Sequence, residues 1–110
     1  MEIQENDKVY IITPLSPKID EHESTKLFSN ADFSKNFALD LSYVSDCTIE
    51  FIEMIKKVSS QKKIGIFNIH SDLFALFNFM NLDKYANLFV SELDFEANSH
   101  RLVKRNFQIV

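Results

Sequence analysis

"NFALDLSYVSDCTIEFIEMIKKV", residues 36–58, changes its period halfway along. Phe37, Ala38, Leu39 and Leu41 crowd apolar side chains together, as in a strand buried within a parallel sheet. From Ile49 onward the apolar residues return at Ile49, Ile52, Ile55 and Val58, with Lys56 and Lys57 in the last turn. That spacing predicts an amphipathic helix whose cations suit its C-terminus. Between the two lie Ser42, Ser45, Asp46, Cys47 and Thr48, packed into one strand-to-helix turn. Open α/β sheets place ligands and switches at such turns, outside the carboxyl ends of strands. Ser45 and Asp46 are the expected N-caps of the helix.

The same alternation continues on both sides. "EIQ" and "KVYIITP" flank Asn6 and Asp7 and predict a hairpin, which Pro14 and Pro17 terminate. "DEHESTKLF" predicts a short helix capped by Asp20, with Glu23 as its capping-box partner. "KKIGIFNI" is β-branched, apolar and holds the one glycine, Gly65. "SDLFALFNFM" predicts a helix capped by Ser71 or Asp72, with Leu73, Leu76, Phe77 and Met80 on one face. A short "NLFV" strand and a last helix over about 95–105 complete the chain. The order β-β-α-β-α-β-α-β-α in 110 residues predicts one α/β domain, residues 1–110. Its mixed, mostly parallel sheet has about five strands, with crossover helices mainly on one face.

Composition narrows the function classes. A net charge of -4 disfavours nucleic acid, which wants a clustered basic surface. The basic groups at 56–57, 62–63 and in "HRLVKR" at 100–105 read as solvated ends of elements. A lone cysteine, Cys47, leaves no internal disulfide and no cysteine metal cage, and fits a reducing compartment. No apolar run approaches the roughly 20 residues of a membrane span. "MEIQENDK" lacks a secretory signal, so a cytoplasmic location is expected. His22, His70 and His100 are dispersed, and no phosphate loop, zinc spacing or nucleophile elbow occurs. The expectation is a non-enzymatic chain with no metal and no cofactor.

Taken with the order of elements, "VYIITPLSPKID", "FALDLSYVSDCTIEFI" and "KIGIFNIHSDLFALFNFMNLDKYANLF" resemble a STAS domain. This is the fold of bacterial anti-sigma factor antagonists, also found in sulfate transporters and in a lipid-transport ABC complex. The resemblance spans nearly the whole chain and rests on Asp20, "DLS" at 40–42, and the stretch ending "FMNLDK". It implies a protein partner, either a kinase-like anti-sigma factor or a transporter subunit, docking around the start of the second helix. In that family a serine at this helix start is phosphorylated by the partner kinase. Aligned without gaps from Asp40, Thr48, Ile49, Glu50 and Phe51 occupy the family's Asp-Ser-Ser-Gly. With two residues deleted, Asp46, Cys47 and Thr48 occupy Asp-Ser-Ser. Either way the usual acceptor is missing, Thr48 is the remaining candidate for phosphorylation, and Glu50 is a permanent charge. Pro17 and Asn81 stand where the family has glycines.

The expected partner surface is therefore Asp20, Ser45, Asp46, Cys47, Thr48 and Glu50, joined by Phe74 and Phe79. Eleven phenylalanines and no tryptophan is a heavy aromatic load. Phe74 and Phe79 fall off the apolar stripe of their helix, so each either packs under a loop or forms a docking patch. Two other readings carry weight: a nucleotide or lipid held at the strand ends, and thiol chemistry at Cys47 with His70, whose strand ends on the same edge.

Overall fold

The computed structural model describes residues 1–89. In chain order these form β1 (Glu2–Glu5), β2 (Val9–Thr13), β3 (Lys18–Ile19), α1 (Glu21–Ser29), β4 (Asn36–Asp40), β5 (Asp46–Cys47), α2 (Ile49–Ser59), β6 (Gly65–Phe67), α3 (Ser71–Phe79), a 3₁₀ turn (Leu82–Lys84) and β7 (Asn87–Leu88). One sheet runs β1-β2-β4-β6-β7. β1 is antiparallel to β2, and every other pairing in it is parallel. This is the expected α/β architecture. The helix expected over about 95–105, with His100 and the basic cluster at 100–105, lies outside the described residues.

Local chemistry accounts for most element ends. Asn6 Oδ1 accepts from the amides of Lys8 and Val9, at 2.8 and 2.9 Å, and so closes the β1–β2 hairpin. Asp20 Oδ1 accepts from the Glu23 amide at 2.9 Å, capping α1 as its sequence predicts. Asn81, at an expected glycine position, takes the left-handed conformation at φ 59°. Asparagine is among the few residues that tolerate it.

Strand alternation splits the core in two. Tyr10, Ile12, Phe37, Leu39, Ile66 and Leu88 face the helices and pack with Leu27 and Phe28 of α1, Phe51, Ile52 and Ile55 of α2, and Leu73 and Phe77 of α3. The three helices thus share one face of the sheet. Aromatic rings fill the seam, with Phe28 lying 6.3 Å from Phe37 and 6.4 Å from Phe51. Tyr10 buries its ring there and donates its hydroxyl to the Asn30 carbonyl at 2.7 Å. The phenylalanine load is mostly core, and among the described phenylalanines only Phe79 is exposed.

Three local expectations are corrected. β3 and β5 are additional strands; at two residues each they are too short to show a period. The buried face of α2 is Phe51, Ile52, Ile55 and Ser59, whereas Ile49 is exposed. At 100° per residue Ile49 sits about 100° from the centre of that face. The cap position of α3 is His70, extended at ψ 148°, because the helix begins at Ser71 itself.

Candidate functional site

The carboxyl ends of the parallel strands carry the loops of interest, and the two short strands organise them. β3 and β5 pair in parallel, with Lys18 opposite Asp46 and Ile19 opposite Cys47. The amides of Ser45 and Asp46 both donate to the Pro17 carbonyl, at 2.8 and 3.1 Å, and the Thr48 amide donates to Ile19 O at 3.0 Å. The turn before α2 is thereby clamped to the turn before α1. The cap positions Asp20 and Thr48 follow directly on the paired residues, so two helix starts lie side by side.

Within this clamp the candidate residues do different work. Ser45 donates its hydroxyl to Pro17 O at 3.2 Å, and Asp46 Oδ1 accepts from the Cys47 amide at 2.8 Å. Neither caps α2; Asp46 belongs to the β3–β5 ladder and Ser45, just before it, bonds Pro17 O. Asp46 also faces Lys18 across 3.9 Å, an exposed pair that contributes little stability. Thr48 holds the cap position of α2 but makes no side-chain cap bond. Its Oγ1 is buried with no hydrogen-bond partner. Glu50, in the first turn of α2, is exposed, where a negative charge suits the positive helix end.

Cys47 is buried in the main core. Burial pushes its thiol up to about 12, with the neighbouring Asp46 carboxylate adding to the effect. A thiol so held stays protonated at neutral pH, which opposes a nucleophilic or redox role. His70 is engaged elsewhere. Its Nε2 lies 3.0 Å from the Ser42 carbonyl, a bond that places the ring proton on Nε2.

A polar network links the strand ends behind the clamp. Asp40 Oδ1 accepts from the Ser42 amide at 3.0 Å and from Asn68 Nδ2 at 3.1 Å, and Thr13 Oγ1 approaches Oδ2 at 3.5 Å. Asn68 is left-handed, φ 57°, and turns the chain from β6 toward His70. An open hollow of about 330 Å³ lies over Ser42, Asn68, Ile69 and His70. Of its polar groups, the Ser42 amide and the Asn68 side chain bond Asp40, and His70 bonds the Ser42 carbonyl. A second hollow of about 460 Å³ is remote from this edge, lined by residues of the β1–β2 hairpin from Gln4 to Val9 and by Ile11.

Phe74 and Phe79 part company. Phe74 is half-buried against the main core. Phe79 is 82% exposed, but it ends α3, nine residues and about 13 Å along the helix from His70. The structure thus brings Asp20, Ser45, Asp46, Cys47, Thr48 and Glu50 together and leaves Phe79 apart. It also shows apolar residues at the site that sequence reasoning passed over. Tyr43 and Ile49 are more than half exposed, and Leu15 is exposed on the loop beside them. Tyr43 sits between serines and Leu15 between prolines, so neither belongs to a periodic pattern that would single it out. Ile49 was hidden because it fits the helical spacing.

Among the described residues, no group of three or more His, Cys, Asp and Glu could hold a metal ion, and no helix is long and apolar enough to cross a membrane. The fold and site define a small α/β domain with a mixed, mostly parallel sheet and a structured loop edge. Compared with known proteins, the chain matches no family model and no curated protein.

Proposed function

We propose that this chain is a non-enzymatic regulatory module that binds another protein through the start of α2. The observation that carries the reading is the exposure of Leu15, Tyr43 and Ile49 on two segments, the loop before β3 and the turn into α2, tied together by the bonds to Pro17 O and Ile19 O. Large apolar side chains on a rigid loop edge are suited to docking. Their rim is mostly acidic: Asp20, Glu21, Asp46 and Glu50 are all exposed, with Lys18 the exposed cation opposite Asp46. A partner fitting this edge offers an apolar patch bordered by lysine or arginine.

The STAS-like resemblance points to the same edge and supplies two partner classes, an anti-sigma factor of the kinase type or the ATPase of a transporter. In either case Glu50 acts as a fixed charge where relatives use a reversible one. Phosphorylation of Thr48 requires the first turn of α2 to open, because its hydroxyl is turned inward. A small ligand at the strand ends is the weaker reading, since Asp40 Oδ1, Asn68 Nδ2 and His70 Nε2 are already engaged within the protein.

The test is affinity purification from the native cell with the unmodified chain, Tyr43→Asp/Ile49→Asp and Glu50→Lys, with phosphosite mapping on the recovered protein. All three positions are exposed, so thermal melts are expected to coincide. The double variant is expected to lose the partner and Glu50→Lys to weaken it at least several-fold. Recovery of the same partners by all three chains would overturn the reading.

A further inference from the structure

The charge of the described residues is divided between the two ends of α2. Helices that cross between parallel strands start at the strands' carboxyl ends and finish at their amino ends. Asp20, Glu21, Asp46 and Glu50 accordingly rim the starts of α1 and α2, with Lys18 beside them. The opposite end is basic. Lys26 lies in the last turn of α1, Lys56 and Lys57 in that of α2, and Lys62 and Lys63 in the loop before β6. A cation in a last turn suits the helix dipole, but Lys62 and Lys63 lie beyond the helix. Acids also occur at this end, where Glu5 pairs with Lys35 at 2.7 Å and Asp32 bonds Ser34. Asp7 and Asp83 lie in the hairpin and the 3₁₀ turn. The lysines outnumber them.

An apolar hollow of about 190 Å³ opens at the basic end, between the loop before β4 and the end of α2. Phe33, Met54 and Val58 line it, together with Lys57, Gln61 and Lys62. Lys62 Nζ fastens its rim, donating to Phe33 O at 3.1 Å and to Lys35 O at 2.8 Å. Bonds to neutral carbonyls leave the charge of that ammonium uncancelled. The hollow is apolar within and positive around. The start of α2 is its converse, with Leu15, Tyr43 and Ile49 exposed inside a mostly acidic rim.

We propose that the hollow at the end of α2 receives the start of α2 of a second copy, with Ile49 as the seated side chain. Ile49 is 56% exposed and Glu50 follows it, so an entering isoleucine brings a carboxylate to the lysine rim. Charge complementarity selects this occupant, because two like ends would set lysines against lysines or carboxylates against carboxylates. Hollow and knob lie at opposite ends of one 11-residue helix. The contact is therefore heterologous, and copies add head to tail unless their rotation closes a ring. The proposal rests on the docking role given above to the start of α2 and names one partner for it, with which any other partner competes.

The test is analytical ultracentrifugation of the purified full chain at low and high salt. The average mass of the parent chain is expected to rise with concentration at low salt. It should return toward the monomer at high salt, where screening weakens the charge pairing. Tyr43→Asp/Ile49→Asp spoils one end and Lys57→Glu/Gln61→Glu the other. All four positions are exposed, so both variants should melt with the parent. Each variant alone is expected to stay monomeric, whereas an equal mixture should give a dimer of twice the monomer mass and nothing larger. A parent chain monomeric at every concentration would overturn the proposal, as would self-association of either variant alone or a mixture that stays monomeric. These outcomes are separate from those of the affinity purification. A foreign partner captured by a monomeric parent chain keeps the docking reading and removes this one, and head-to-tail association with no foreign partner does the reverse.

Discussion

The two helix starts on the loop edge are neighbours built by the same device, yet they are finished differently. Each follows a two-residue strand, and those strands pair with each other. At α1 the cap carboxylate of Asp20 takes the Glu23 amide, and Glu21 and Glu23 add charge to the first turn. At α2 the cap hydroxyl of Thr48 points into the core without a partner, and Glu50 is the one acidic residue of the first turn. The first start is held by its own side chains. The second is held by backbone bonds to Pro17 and Ile19 and by the core beneath it. A start of the second kind can leave its outward-facing residues, Ile49 and Glu50, free for a partner.

The largest effect should come from the core that joins the two helices. Phe28 of α1 and Phe51 of α2 stack at 6.4 Å, and Phe51 is fully buried. Phe51→Ala is expected to cost about 3–5 kcal/mol. A double-mutant cycle with Phe28→Ala should return a coupling of about 0.5–1.5 kcal/mol. Urea denaturation measures both. A vanishing coupling would mean that the two helices are secured independently and that the clamp alone aligns them.

The caps themselves should separate next. Asp20→Ala removes a bonded cap and is expected to cost about 1 kcal/mol. Thr48→Val keeps the shape and removes a buried, unpartnered hydroxyl, so it should be neutral or stabilising. The two midpoints in urea are expected to move in different directions, or one to move and the other to stand still. Equal losses at both positions would show that Thr48 caps α2 in solution after all.

How much of this was legible follows from where information sits in a sequence. Long periodic runs announced β2, β4, α2 and α3, and the bonded cap of α1 followed from Asp20 and Glu23. Pairs of residues have no period, so β3 and β5 were invisible, and with them the reason that Ser45 and Asp46 do not cap α2. Ile49 misled because i, i+3 spacing alone does not say which of two neighbouring faces is buried. Phe79 was rightly set off the stripe of α3, but Phe74 packs against the core as Leu76 and Met80 do, and spacing along one helix does not show where a neighbouring element lies to receive a ring. The candidate site was located by its place after a strand, while the Asp40–Asn68–Thr13 network depends on three strand ends meeting and had no local signature.

The smallest difference between the two starts lies one residue earlier, where Ile19 stands opposite Cys47. Both side chains are buried, but only the thiol can ionise. An unfolded thiol loses its proton near 9.0, whereas the folded one keeps it to about 12, through burial first and the Asp46 carboxylate second. Above pH 9 the unfolded state therefore binds fewer protons than the folded state, and stability must fall as pH rises toward 12. Below pH 9 this residue gives no pH dependence. Replacing Cys47 by alanine should flatten that part of the stability profile in thermal melts between pH 8 and 11. Alkylation of the parent chain at pH 8 should be slow until denaturant is added, since the thiol is both buried and protonated. Rapid alkylation of the native protein would show that β5 opens readily, and would make the start of α2 a far looser platform than the one at α1.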